Sequence, residues 1–325
     1  MSKGWKYQPT TDPTQVNFRP RYDDCEPGGR LHPAGYLRAM LRAAIEAGAA
    51  KDLGAPENPD AADTAVAPAD EAAAWLERVG DLGMKIEAPV MFGDAVEIDT
   101  RLATQGPDVW RRVFVFKRAG AVVANGFVDC FGNNEDEQTI EPETEQETIS
   151  ENAEESESAF SLTAEPSAAE PPVWDGPMPD PPKAPGRSFK GIWHVAWQHL
   201  DLSGQVDPAA LTTMVGDMEA RANESLGWTP ACEYEAGFVW QVGEHRLELF
   251  DVIQDEDDLH ILSYIGEVDE AVMVRHTSIW RDDSGVHNEV ARTRTRWACF
   301  DPTSGERGII PDEWLEDMAD QFAEG

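Results

Sequence analysis

An acidic turn followed by a helix start contains the residues of this chain best suited to chemistry. Asp24 and Glu26 precede Gly29 by five and three residues, and Pro33 follows Gly29 by four. Pro is favoured in the first turn of a helix, because the N–H that it lacks has no intrahelical partner there. Carboxylates act as nucleophiles or general bases, and a helix start offers unpaired amides and a positive dipole end. The turn therefore combines groups suited to attack on a polarised carbonyl group.

A looser copy of this turn lies in the second half of the chain. Asp201 stands three residues before Gly204, and Pro208 follows Gly204 by four. His199 occupies the position five residues before Gly204, where the first copy has an acid. Asp207, directly before Pro208, is predicted to be the N-cap of the helix. We infer that the chain contains the same unit twice.

Each Pro is followed by apolar residues at helical spacing and then by several strand-like runs. The helical stripes are Tyr36, Leu37, Met40, Leu41 and Ile45 in the first copy, and Leu211, Met214, Val215, Met218 and Ala222 in the second. Strands are predicted near residues 85–90, 95–102, 110–116 and 122–131, and near 236–242, 246–253, 259–267, 271–280 and 286–300. Short helices are predicted at 71–79 and after Pro311. This order is typical of an α+β unit in which an antiparallel sheet wraps around one long central helix.

The run YDDCEPGGRLHPAGY, which ends at Tyr36, resembles the entry to the central helix of hotdog-fold acyl-CoA thioesterases of the 4-hydroxybenzoyl-CoA thioesterase type. That family reads aromatic-x-D-x-D-x-x-G and then seven residues to a Tyr, the spacing from Gly29 to Tyr36. The segment with the Gly-Asp hairpin at residues 92–96 and the final strands of the second copy resemble the same family. The resemblance implies a tandem, or double, hotdog fold.

The activity implied by this resemblance is hydrolysis of an acyl thioester of coenzyme A or of an acyl-carrier protein. In the resembled family the first Asp of the motif faces the thioester, and its position corresponds to Asp24. Asp24 would act as nucleophile or general base, with a helix N-terminus polarising the thioester carbonyl. Glu26 falls on the second acid and is interpreted as shaping the turn. The alternative is that Asp24 is an ordinary acid bonded to local amides.

The second copy departs from the motif, because His199 replaces the first Asp. Either this half has no catalytic carboxylate, or Asp201 acts from a shifted position, so His199 and Asp201 are kept as candidate catalytic residues. At the corresponding position, the motif of plant acyl-ACP thioesterases looks like D-x-N-x-H-V-N-N, whereas this chain has Asp201, Ser203 and Gln205. One active half and one degenerate half is the preferred interpretation.

Candidate substrate-binding residues come from the motif and from the last strand. The motif supplies Gly29, His32 and Tyr36, although His32 also suits a helix cap. Arg292, Arg294 and Arg296 alternate and share one strand face, where they would bind phosphates of a CoA or phosphopantetheine group. The alternative is an outer sheet face whose arginines offset neighbouring acids.

Composition and charge limit the possible partners, the domain organisation and the location of the protein. Acids outnumber bases 62 to 26, for a net charge of −36, which disfavours nucleic-acid binding. We expect a first repeat at 1–133 with an insertion at about 54–70, an acidic disordered linker at 134–186 and a second repeat at 187–325. No apolar segment long enough for a membrane span and no export signal is found, so a cytoplasmic protein is predicted. The sequence contains no ligand spacing typical of a metal site and no cofactor-binding motif, so we expect the protein to bind neither a metal nor a cofactor.

Two classes of function remain open. The first is an acyl thioester hydrolase of fatty acid metabolism, working as a monomer with pseudo-dimer symmetry or as a higher homo-oligomer. The second is a non-catalytic double-hotdog module that binds an acyl thioester or a protein partner. The sequence distinguishes neither the acyl group nor CoA from carrier protein.

Overall fold

The computed structural model describes residues 14–26, 29–48, 68–104, 109–131, 178–283 and 286–323. In these residues ten strands form one antiparallel sheet, with five α-helices and short 3₁₀ turns beside it. The first half comprises β1 (Thr14–Phe18), α1 (Pro33–Glu46), α2 (Pro68–Leu76), β2 (Val79–Ile86), β3 (Val96–Thr104), β4 (Val109–Arg118) and β5 (Ala121–Phe131). The second half comprises β6 (Phe189–His194), α3 (Pro208–Glu224), α4 (Pro230–Glu235), β7 (Val239–Leu249), β8 (Asp258–Asp269), β9 (Val272–Asp283), β10 (Val286–Phe300) and α5 (Asp312–Met318).

The order of the strands is the same in both halves when it is read towards the middle of the sheet. The order is β1-β3-β4-β5-β2-β7-β10-β9-β8-β6, so β2 and β7 are the two central strands. Each half has its long helix after the first strand and before the second. The two halves are thus related by an approximate twofold axis through the β2–β7 pair, as the repeated motif predicted.

The β2–β7 pair forms a seam between the halves. Its antiparallel register extends from Asp81 opposite Glu248 to Lys85 opposite Glu244. On one face of the sheet, α1 and α3 pack against each other and against the central strands. One apolar cluster contains buried side chains from both helices, among them Leu37, Met40 and Leu211. The two halves are therefore joined by backbone hydrogen bonds between β2 and β7 and by an apolar core that both long helices share.

Both long helices begin as the sequence predicted. Pro33 and Pro208 each occupy the first helical turn. The Asp207 carboxylate accepts a hydrogen bond of 2.8 Å from the Ala209 N–H, which confirms the predicted N-cap.

The boundaries of the central strands differ from the sequence prediction. The helix predicted at 71–79 ends at Leu76, and β2 begins at Val79, although residues 79–84 contain two glycines. In the second half, one continuous strand, β7, replaces the two strands predicted at 236–242 and 246–253. Pairing with neighbours on both sides of β2 and β7 overrides the local preference of these residues.

The predicted insertion and linker lie mostly outside the described residues. Of the insertion at about 54–70, only the start of α2 is described, and of the linker at 134–186, only residues 178–186 are. Those residues contact the sheet: the Met178 N–H donates to the Glu248 carboxylate at 2.9 Å, and the Tyr264 hydroxyl donates to the Pro182 carbonyl at 2.6 Å. Within the described part of the chain, no helix is long and apolar enough to cross a membrane.

Candidate active site

A cleft opens at one end of the seam, where β2 and β7 separate. Beyond the Lys85–Glu244 pair, residues 86–89 form one wall and residues 241–243 form the other. The start of α1 closes the inner side through Pro33 and Tyr36. The cleft has a volume of about 500 Å³, including the part open to solvent. It therefore combines the helix of the first half with strands of the second, and neither half forms it alone.

Gly243 lines this cleft and lies in a β-bulge of β7. The register between β10 and β7 moves from Arg296 opposite Glu244 to Trp297 opposite Val242, which leaves Gly243 without a partner on β10. A bulge bends its strand locally and increases its twist. The bulge accompanies the separation of β7 from β2.

Two acids line the cleft, and one of them, Glu87, is paired with Lys85 at 3.1 Å. The other is Glu26. Burial raises the pKa of its carboxyl group above the ordinary value, and the positive charge of Arg30 opposes this rise. The Arg30 Nε atom lies 3.7 Å from the Glu26 Oε2 atom, and Arg30 lines the same cleft. A carboxylate whose pKa is raised towards neutrality is a stronger base than an ordinary surface acid. The guanidinium beside it is placed to stabilise negative charge that develops nearby.

The α1 start presents its dipole to the cleft, but its first-turn amides are already bonded. The His32 Nδ1 atom accepts from the Ala34 N–H at 3.1 Å, and the His32 carbonyl accepts from the Gly35 and Tyr36 amides. Burial lowers the pKa of His32 to about 4, so the ring is neutral at pH 7. His32 is thus the helix cap, one of the two roles that the sequence allowed.

Gly29 and Tyr36, two of the predicted substrate-binding residues, lie in the turn and at the inner end of the cleft. Gly29 has a φ of +78°, a left-handed conformation that favours glycine, and its carbonyl accepts from the Phe92 N–H at 2.7 Å. Tyr36 is 1% exposed, and its hydroxyl accepts from the Val90 N–H at 3.1 Å.

Asp24, the predicted catalytic residue, is bonded to its own turn and to helix α1, and it does not line the cleft. Its Oδ2 atom accepts from the Arg21 N–H at 3.1 Å, and its Oδ1 atom accepts from Arg38 Nη1 at 2.5 Å. Asp24 is 6% exposed. Both carboxylate oxygens therefore have partners supplied by the protein, and a catalytic role for Asp24 stays a prediction.

His199 occupies in the second half the position of Asp24 and makes the same local contact. Its Nδ1 atom accepts from the Ala196 N–H at 3.0 Å, and its ring packs on Trp193 at a centroid distance of 4.6 Å. Asp201, the counterpart of Glu26, accepts from the Ser203 N–H at 2.7 Å and from the Ser203 hydroxyl at 2.5 Å. Burial raises the pKa of Asp201, and these hydrogen bonds oppose the rise. The Asp201 carboxylate is therefore held by short hydrogen bonds within its own turn, whereas the Glu26 carboxylate has the longer contact of 3.7 Å with Arg30.

The three arginines of β10 share one face of the sheet but differ in their partners. Arg292 donates to Glu248 at 2.6 Å, and Arg294 donates to Glu244 at 3.0 Å. These two arginines therefore offset acids on β7, the alternative that the sequence left open. In the described part of the chain, no acid lies within ion-pair distance of Arg296.

Arg296 lies instead in a small cavity next to the cleft. Lys85, Glu244 and Arg307 also line this cavity, which shares Gly243 and Ala298 with the cleft. Three cations thus stand beside the outer opening of the cleft, in a chain whose net charge is −36. Such a cluster is suited to a ligand that bears phosphate groups.

A pattern in the sequence distinguishes Glu26 from Asp24, although Glu26 was interpreted as shaping the turn. An acid stands three residues before the paired glycine in both copies, whereas the acid five residues before it is present only in the first. Lys85 and Arg307 had no comparable signal, because they approach the cleft from separate elements of the sheet.

Solved structures with this architecture cover most of the chain. A protein assigned as an oleoyl thioesterase from Lactobacillus plantarum matches 89% of this chain and 97% of its own, with 14% identity and a TM-score of 0.58. An acyl-ACP thioesterase from Bacteroides thetaiotaomicron covers 88% of this chain and 97% of its own, with 12% identity and a TM-score of 0.55. The 12:0-ACP thioesterase from Umbellularia californica covers 88% and 94%, with 13% identity and a TM-score of 0.51.

These structures define the class of fold to which the chain is similar. They are hotdog-fold proteins, and the present chain has two hotdog-like halves that together span their length. No protein-family model and no curated protein sequence matches the chain. At these identities the similarity shows the fold.

Proposed function

We propose that this protein hydrolyses acyl thioesters in the cleft at the seam, with Glu26 as the catalytic carboxylate. The observation that carries the proposal is the position of Glu26, a partly buried acid with a raised pKa that lines a cleft between the halves. Three solved structures of similar fold are described as thioesterases, which supports this class of reaction. In this proposal the chain is a tandem hotdog with a single working site.

Glu26 would act either as the base that activates water or as the nucleophile that attacks the thioester carbonyl carbon. The pKa of Glu26 is raised by burial, so the charged carboxylate is a better proton acceptor than a solvated one. Arg30 and the positive end of the α1 dipole would stabilise the negative charge that develops on the carbonyl oxygen. When the C–S bond breaks, the leaving sulfur takes a proton, which in the general-base route is the one that Glu26 removed from water, and the thiol leaves through the outer opening of the cleft. In the nucleophilic route, water then hydrolyses the mixed anhydride between the acyl group and Glu26.

The carrier of the acyl group would bind at the cations beside the cleft. Arg296 and Arg307, together with Lys85, which also pairs with Glu87 at 3.1 Å, suit the phosphates of coenzyme A or of a phosphopantetheine arm. Of the three arginines that the sequence analysis named as phosphate-binding candidates, only Arg296 is assigned to phosphate binding in this proposal. Both a CoA thioester and an acyl-carrier protein supply such phosphates.

The test is thiol release from short, long and aromatic acyl-CoAs and from acyl-carrier protein. We compare wild type with Glu26→Gln, which keeps the shape of the side chain and removes the base. The expected result is a loss of kcat of about 10²–10⁴-fold with a small change in KM. Glu46→Gln serves as a matched control, since Glu46 pairs with Arg42 on the exposed end of α1.

Asp24→Asn tests the competing assignment in the same assay. We expect this variant, at temperatures where it is folded, to keep most of its turnover, because Asp24 is bonded to Arg21 and Arg38 and does not line the cleft. A variant Asp24→Asn that is folded and inactive, beside an active Glu26→Gln, would transfer the catalytic role to Asp24. If wild type releases no thiol from any substrate, the hydrolase proposal fails and the non-catalytic binding module becomes the better account.

A further inference from the structure

Tyr36 lines the inner side of the cleft together with Pro33, and it is the aromatic ring at that end. The ring of Tyr36 contacts Phe116 edge to face at a centroid distance of 5.5 Å. Its hydroxyl accepts from the Val90 N–H, which ties the ring to the loop after β2. Tyr36 is held from two sides, and it is 1% exposed. The ring is therefore a fixed end to the cleft.

The space behind Tyr36, along α1, is filled by other side chains. Leu37 and Met40 on the same helix are fully buried, and so is Phe114 on β4. The packing around Met40 is tight: a Cβ atom added to Gly126 would lie 2.2 Å from the Met40 Sδ atom. A chain that entered the cleft would have no path along the helix unless Tyr36 moved.

The part of the cleft in front of Tyr36 is apolar and small. Its lining includes Ile86, Val242, Ala298 and Phe300, side chains that suit an alkyl group. The volume of about 500 Å³ includes solvent-open space, and it has to hold the thioester and the end of its carrier arm as well. The room for the acyl group itself is correspondingly limited.

We infer that the cleft is selective for short acyl groups and that Tyr36 sets the limit on their length. This inference rests on the proposed function, because it names the substrate class of the same site. A methylene that finds an apolar place improves binding about fourfold, so affinity should rise with chain length until the alkyl group reaches the Tyr36 ring. Beyond that length a further methylene enters the cleft only by displacing packed side chains, which costs free energy, and affinity should fall.

The limit is measured by binding, independently of turnover. S-alkyl-CoA thioethers from ethyl to dodecyl lack the thioester carbonyl group and are not hydrolysed, so their Kd values report the cleft alone. For wild type we expect the tightest binding at a short chain and a loss of about tenfold or more by octyl. Continuously tighter binding through dodecyl, or no binding of any thioether, would overturn the inference.

Variants at Tyr36 locate the limit. Tyr36→Ala removes the ring and is expected to bind the octyl thioether about tenfold or more tighter than wild type does. Tyr36→Leu is a smaller change that keeps the core better packed, and it should move the optimum in the same direction. Tyr36→Phe retains the ring and should keep the wild-type profile. An unchanged profile in folded Tyr36→Leu assigns the limit to another residue and contradicts the inference.

Turnover of the matching acyl-CoAs separates this inference from the proposed function. A length limit in the thioether series without any thiol release would support the role of Tyr36 and contradict hydrolysis. Thiol release from long and short acyl groups at equal kcat/KM would support hydrolysis and contradict the length limit.

Discussion

At the scale of single residues, Asp24 and His199 show how one backbone position can hold different side chains for one purpose. The Asp24 carboxylate accepts a hydrogen bond from the Arg21 N–H, and the His199 ring accepts one from the Ala196 N–H, in each case three residues earlier. Each side chain closes the 3₁₀ turn that precedes a long helix. The shared contact explains why an acid and an imidazole occupy corresponding positions.

The Asp24–Arg38 pair should contribute to stability. Asp24→Asn keeps an oxygen for the Arg21 amide but loses the ionic contact with Arg38, so we expect the free energy of unfolding to fall by about 1–2 kcal/mol. Urea denaturation of Asp24→Asn, Arg38→Gln and the double variant measures the coupling. Effects that add without any coupling energy would show that the pair contributes nothing.

The sequence identified the turn but not which of the two motif acids, Asp24 or Glu26, faces the cleft. Asp24 and Glu26 are two residues apart, and the direction of each side chain depends on the 3₁₀ turn and on contacts with the loop after β2. The second copy contained the missing information, since Asp201 repeats Glu26 while His199 does not repeat Asp24. Comparison of the two halves therefore discriminates better than the motif of either half.

At the scale of elements, helix starts were predictable and central strands were not. Helix starts depend on residues within one turn, such as Asp207 and Pro208, and these are visible in the sequence. The limits of β2 and β7 depend on pairing across the seam, where one strand passes through a bulge at Gly243. Periodicity within a segment contains no information about that partner.

Helix α3 buries a carboxyl group that should make stability depend on pH. Glu219 is 4% exposed and accepts from the Trp297 Nε1–H at 3.1 Å. Burial raises its pKa to about 7, although the charge of Arg275 opposes the rise. The native state then holds a proton that the unfolded chain releases at lower pH. The contribution of Glu219 to stability is therefore complete below its unfolded pKa of 4.5 and is lost as pH rises through about 7.

Glu219→Gln should flatten this dependence. The amide does not ionise, so we expect the stability of wild type relative to the variant to fall by about 1–3 kcal/mol between pH 5 and pH 8. Urea denaturation at both pH values measures the difference, and Glu224→Gln, an exposed position on α3, is the control. Parallel profiles of wild type and Glu219→Gln would contradict the prediction.

At the scale of the whole molecule, a buried ion pair joins the two halves at the seam. Arg246 on β7 donates from Nε and Nη2 to the two carboxylate oxygens of Asp81 on β2, at 3.1 and 2.5 Å. The Phe127 ring lies beside the guanidinium groups of Arg246 and Arg111, at 5.5 and 4.1 Å from its centroid. The seam therefore has charged and aromatic contacts on the sheet face opposite the long helices.

Removal of one partner of this pair should destabilise both halves together. Arg246→Met leaves the Asp81 carboxylate buried without its guanidinium, and we expect a loss of about 3–5 kcal/mol in the free energy of unfolding. Arg42→Met removes the partner of exposed Glu46 and should cost less than about 1 kcal/mol. Equal losses in the two variants, measured by chemical denaturation, would contradict the role assigned to the seam.

The approximate twofold axis has a consequence for how such a molecule changes over generations. In a dimer of identical chains, every substitution enters both clefts at once, so a change that harms one site harms its twin. Here the two copies are encoded separately, and a substitution alters one side alone. The pairs Glu26 and Asp201, and Asp24 and His199, differ in this way: Glu26 lines the cleft, whereas Asp201 is bonded to Ser203 of its own turn, and an imidazole stands where the first copy has a carboxylate.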